Sequence, residues 1–120
     1  MQTNTSNGTP AKSVLELLLS TSSEAAVISY CTEKLAPLRS HDEQQSANYV
    51  ETLRTYLACN NDLVHSSRVL FIHRNTMVNR IRKINELLNV NMNDPETTNE
   101  FFNIFHVLDY YAQKAYKQEV

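Results

Sequence analysis

The sequence predicts an all-α fold of about six helices. A single glycine and three prolines in 120 residues leave too little turn chemistry for a β protein. The apolar residues recur every three or four positions, and the β-branched ones mostly occur singly inside such patterns. A composition that is 42% hydrophobic and 20% charged is ordinary for a globular chain, and this length suits one domain with a modest core.

Residues 1–12 read as a polar Ser/Thr/Asn-rich tail or linker, and 13–46 as a helical lead-in. A short helix is expected at about Ser13–Leu19. Thr21 and Glu24 have the spacing of a capping box, which opens a second helix that ends near Leu35 before Pro37. His41–Ser46 reads as a polar hinge. A third helix over about Ala47–Cys59 carries Val50, Leu53 and Leu57 on one side, with Tyr49 and Tyr56 at its flanks. Asn60-Asn61 stops it, because Asn tolerates the left-handed conformation. Asp62 is a good N-cap for a helix over Leu63–Leu70. Phe71-Ile72-His73 forms a turn, and a fifth helix runs from Arg74 to about Leu88. Asp94-Pro95-Glu96 then caps and starts a last helix reaching about Lys117, with Phe101, Phe105, Leu108 and Ala112 as its stripe. Residues 47–117 thus form a unit around a helix-turn-helix at Asp62–Leu88.

Charge is distributed unevenly over these elements. The chain has eleven basic and thirteen acidic residues, a net charge of −2 that gives no overall attraction to a polyanion. Between Leu63 and Asn85, however, stand Arg68, Arg74, Arg80, Arg82 and Lys83 with no acid at all. At 100° per residue, Met77, Ile81, Ile84 and Leu88 share one face of the fifth helix, which must be core. The other side presents Asn75, Asn79, Arg82, Lys83 and Glu86, with Thr76 and Arg80 toward one flank. Asn suits bidentate contact with adenine and Arg with guanine. Arg74, Asn75, Thr76 and Asn79 are therefore expected at base edges or nearby backbone. Ser66, His73, Arg80, Arg82 and Lys83 are expected mainly at phosphate. Ser66 and Ser67 also supply the small residues needed where the two helices cross. Phe71 stands where such turns often have Gly. Since Phe adopts positive φ only at a cost, the turn is expected to use another geometry, with Phe71 packed inward or against a partner.

Three segments carry a family resemblance: Tyr49-Val-Glu-Thr-Leu-Arg-Thr-Tyr-Leu57, Leu70-Phe-Ile-His-Arg-Asn-Thr-Met77 and Arg80-Ile-Arg-Lys-Ile-Asn-Glu-Leu-Leu88. Together with Asp94-Pro95 they resemble the C-terminal helix-turn-helix domain of the PucR/CdaR family of bacterial transcriptional regulators. Leu35-Ala-Pro-Leu38 and Asp42 resemble the region that precedes it. The resemblance implies a Fis-like DNA-reading unit, usually dimeric, at the end of a longer regulator with an upstream sensor region. By position it puts His73, Arg74, Asn75 and Thr76 at the start of the recognition helix and keeps Arg80 as a basic position. This chain has Val78-Asn79 where the family commonly has Arg-Tyr.

Other chemistry is poorly represented. Cys31 and Cys59 lack metal-ligand spacing and read as two reduced thiols. His65 and His73 have no carboxylate or Cys at ligand spacing, and His41 and His106 read as surface or interface residues. No catalytic order of Ser, His and Asp and no Gly-rich phosphate loop is present. The expected partners are double-stranded DNA and a second copy of the chain, with no cofactor, no metal, no membrane and no enzymatic activity. A cytoplasmic, nucleoid-associated location follows from that reading. The competing reading is a helical interaction or dimerisation module that has lost strong DNA binding. Val78 and Asn79, in place of a basic–aromatic pair, keep it open; separately, Phe102, Tyr110 and Tyr111 on the aromatic last helix could be shared with a partner.

Overall fold

The computed structural model describes residues 11–119. The described residues form six helices: α1 (Val14–Ser20), α2 (Glu24–Gln45), α3 (Tyr49–Ala58), α4 (Leu63–Val69), α5 (Arg74–Leu88) and α6 (Pro95–Glu119). Most of the expected tail, residues 1–10, lies outside them.

Each boundary has a local cause. Ser13 caps α1 by accepting from the Glu16 N–H at 3.0 Å. Ser23, not Thr21, caps α2, accepting from the Ala26 N–H at 3.2 Å. Thr21 instead ends α1 in extended backbone, its hydroxyl accepting from the Ser23 N–H. Helix α2 does not stop at Pro37. It continues to Gln45 and absorbs the expected hinge, ending at Ser46 in the left-handed conformation. Pro37 has no N–H for the Glu33 carbonyl and costs about 3 kcal/mol in a helix interior. Burying Leu38 returns about 1.5–3 kcal/mol. Asp42, one turn on, adds a cap: its carboxylate accepts from the Tyr49 N–H at 2.7 Å and the Val50 N–H at 3.0 Å. The end of α2 thus caps α3, where Asn48 makes no side-chain cap bond. Together these terms outweigh the proline penalty.

Asn60 and Asn61 both take positive φ, as expected. Asn61 Nδ2 then donates to the Met92 carbonyl at 3.3 Å and to Thr98 Oγ1 at 2.9 Å, fastening the α3–α4 turn to the α5–α6 connection. Asp94 caps α6 through Thr97, with Pro95 at the first helical position.

A single core runs through the molecule. Val14, Val27, Cys31, Leu35 and Leu38 from α1 and α2 meet Leu53, Tyr56 and Leu57 from α3. Met77, Ile81 and Ile84 from α5 and Phe101, Ile104 and Phe105 from α6 complete it. Helix α2 packs against α1, α3, α5 and α6, so the lead-in is structurally part of the same body as the helix-turn-helix. Tyr56, expected at a flank, is core. Leu88 is only half-buried. Glu100 of α6 joins three helices: its carboxylate accepts from the Val14 N–H at 3.0 and 3.1 Å and from the Tyr30 hydroxyl at 2.6 Å. Burial, reinforced by Glu100, pushes the Tyr30 phenol well above its ordinary range and the Cys31 thiol up to about 11. Both cysteines are free thiols.

Candidate nucleic-acid interface

Helices α4 and α5 pack against each other across the turn that joins them. Ser66 and Ser67 make the close crossing possible; they are 0% and 4% exposed. Their hydroxyls donate back to the Asp62 carbonyl at 2.6 Å and the Val64 carbonyl at 2.7 Å. This overturns the expectation that Ser66 touches phosphate. Its side chain is sealed in the α4–α5 contact, and its donor is already engaged.

The turn closes as a Schellman motif. Leu70 is the C-cap, the Phe71 N–H donates to the Arg68 carbonyl at 3.2 Å, and the Ile72 N–H donates to the Ser67 carbonyl at 3.0 Å. Phe71 therefore occupies the left-handed position that usually falls to Gly, with φ of 57°. Its ring is 95% exposed. The turn thus uses the ordinary geometry rather than another one, and Phe71 does not pack inward within the chain. Ile72, the next residue, does turn back toward the core.

His73 caps α5, its Nδ1 accepting from the Asn75 N–H at 3.0 Å. Met77, Ile81 and Ile84 are buried, which fixes the rotation of the helix. That rotation leaves Arg74, Asn75, Thr76, Asn79, Arg82 and Lys83 exposed together. Arg82 Nη1 donates to Asn79 Oδ1 at 2.7 Å, so these two side chains are held as a pair. Lys83 lies 4.0 Å from Glu86, a loose and exposed ion pair. Arg80 behaves differently. It is half-buried, and its Nη1 donates to Asn48 Oδ1 and to Thr52 Oγ1, both at 3.2 Å. It braces α5 against the start of α3, which sequence spacing could not reveal because Asn48 lies 32 residues away. Arg68, absent from the expected contact set, is exposed in the last turn of α4 beside the Phe71 turn. Its place in the acid-free stretch was the available signal.

Two surface grooves lie elsewhere. One, between the α1–α2 side and the start of α6, mixes Lys12 and Lys34 with Glu33, Glu96 and Glu100. The other is lined by Asn60, Asn61, Pro95 and Phe102. Among the described residues no group of His, Cys, Asp and Glu is arranged to hold a metal ion, and no helix is long and apolar enough to cross a membrane.

The fold and the face of α5 define a helix-turn-helix protein. Residues 49–102 match the family model of the PucR C-terminal helix-turn-helix domain. The chain is 36% identical over 56 residues to the purine catabolism regulatory protein of Bacillus subtilis (strain 168), a match covering 47% of this chain and 10% of that protein. It is 34% identical over 70 residues to the proline-responsive transcriptional activator PutR of the same organism, covering 58% of this chain and 17% of PutR. The matched stretch is thus less than a fifth of the length of either relative. No solved structure matches.

Proposed function

We propose that this chain is the DNA-reading part of a transcriptional regulator and acts through the exposed face of α5. The observation that carries the reading is a helix that follows a tight helix-turn-helix crossing and buries Met77, Ile81 and Ile84. Its opposite side presents amides and cations in a stretch without a single acid up to Asn85. Arg74, Asn75, Thr76 and Asn79 meet base edges or the adjacent backbone. His73, Arg82 and Lys83 meet phosphate. Arg80 offers phosphate the part of its guanidinium that does not brace α3. The matched family and the names of the two relatives, a regulatory protein and a transcriptional activator, support regulation over catalysis.

The chain works as a homodimer within a larger regulator that carries a sensor region, in the cytoplasm. The greater length of both relatives supports the larger architecture. Exposed Phe102 and Tyr110 on α6 support a shared surface. Fluorescence anisotropy against a random duplex pool, followed by selection of bound sequences, tests the central reading. Binding that weakens steeply with salt and enriches a common sequence is the expected result. An oligomer that ignores duplex DNA at low salt refutes it.

A further inference from the structure

Among the described residues none buries the Phe71 ring. It is 95% exposed, yet its backbone is held at a φ of 57°. A bulky residue in that conformation is strained, and Gly relieves the strain without loss of any packing visible here. Strain kept at an exposed aromatic residue points to use from outside the fold. The left-handed turn has a geometric consequence: it sends Ile72 inward to the core and leaves Phe71 projecting at the corner between α4 and α5.

The surroundings decide what meets the ring. Arg68 and Arg74 stand three residues on either side of Phe71, both exposed, and the nearest acid before it is Asp62 at the far end of α4. A symmetric contact with a second copy through this corner would set Arg68 and Arg74 against their own counterparts, an arrangement that repels. A polyanion with apolar C–H surface between its charges fits instead. The corner also immediately precedes His73, which caps the helix assigned to the groove.

We infer that Phe71 is a DNA-contacting residue: its ring packs on apolar duplex surface at the rim of the major groove, either the deoxyribose C–H face or a thymine methyl group, while Arg68 and Arg74 hold the flanking phosphates or base edges. This inference rests on the proposed DNA reading. The contact adds affinity without adding charge, so it does not alter the salt dependence. In the methyl-group form it also selects sequence.

The test compares the wild-type chain with Phe71→Gly, Phe71→Tyr and Arg74→Ala on a duplex selected from a random library by the wild type. Phe71→Gly is expected to melt no lower than the wild type while its Kd rises at least about 5-fold with an unchanged salt slope. Phe71→Tyr, which keeps the ring, should stay within about 2-fold. A scan replacing each thymine by deoxyuridine separates the two surfaces. A penalty in the wild type that disappears in Phe71→Gly assigns the methyl group, and the absence of any such position assigns the sugar. The inference fails if Phe71→Gly binds as tightly as the wild type while Arg74→Ala is weakened. It also fails if light scattering shows Phe71→Gly losing a dimer that the wild type forms without DNA. If the wild type itself binds no duplex, the DNA reading falls first and the contact with it.

Discussion

Lys83→Ala isolates one phosphate contact with little structural disturbance. Lys83 is exposed on α5, and Glu86, with which it forms an ion pair, sits at 4.0 Å in solvent. Losing that pair costs the fold a few tenths of a kcal/mol at most, since exposed i,i+3 pairs are worth about 0.3–0.5 kcal/mol. The effect on DNA is larger and has a characteristic form. If Arg80, Arg82 and Lys83 each neutralise one phosphate, the log–log salt slope from these three is about −2.7 per protomer. Raising salt from about 50 to 200 mM then weakens the wild type by roughly 40-fold through these contacts. With Lys83→Ala the slope becomes about −1.8 and the same change costs roughly 12-fold. The two titrations should therefore diverge at low salt and converge at high salt. Anisotropy at four or five salt concentrations resolves a slope change of about one. Arg80→Ala provides the internal contrast. It removes the brace to Asn48 and Thr52 as well as a cation, so it should change the slope and also cost about 1–2 kcal/mol of stability. An unchanged slope for Lys83→Ala removes Lys83 from the footprint.

Three further outcomes follow from the fold. Pro37→Ala restores an N–H to the Glu33 carbonyl on the exposed side of α2, so urea unfolding should show a net gain of about 1–2 kcal/mol after the added unfolded-state freedom is subtracted; a loss would mean the ring or its bend is needed to seat Leu35 and Leu38. A chain cut to begin at Ala47 strips Val27, Cys31, Leu35 and Leu38 from the shared core and should lose cooperative unfolding by circular dichroism, whereas a cooperative melt would make α3–α6 an independent unit. Stability should also decline at alkaline pH. The Cys31 thiol is raised from its ordinary 9.0 to about 11, and the Tyr30 phenol is raised from 10.0, so the folded state keeps these protons after the unfolded state has released them. The Cys31 contribution is complete below pH 9 and is lost as pH climbs from 9 to about 11, while the Tyr30 contribution begins to decline only from about pH 10 upward. Thermal melts across that range should fall less steeply in Cys31→Ala than in the wild type, and parallel profiles would exclude Cys31 as a cause.

The recognition helix was legible from sequence because its information is local and periodic. Met77, Ile81 and Ile84 fall on one side by arithmetic alone, and that fixes where Asn75, Asn79 and Lys83 must point. The cap at Asp62 and the Asn60-Asn61 stop were legible for the same reason. What sequence hid was long-range pairing. Glu100 caps α1 from 86 residues away, Asp42 caps a helix other than its own, and Arg80 is drawn to Asn48 and Thr52. Ser66 carried two compatible readings, helix crossing and phosphate contact, and only burial could separate them.

Pro37 and Phe71 were misread through the same rule, that a local conformational penalty is avoided. At Pro37 the penalty is outweighed inside the molecule, by Leu38 in the core and by Asp42, which caps the next helix. At Phe71 the strained residue itself gains nothing, for its ring lies in solvent beside two arginines. A departure offset by burial concerns folding. A departure with no offset within the chain calls for an external contact, and for that reason the turn before α5, as much as the helix face itself, belongs to the surface that meets DNA in the proposed function.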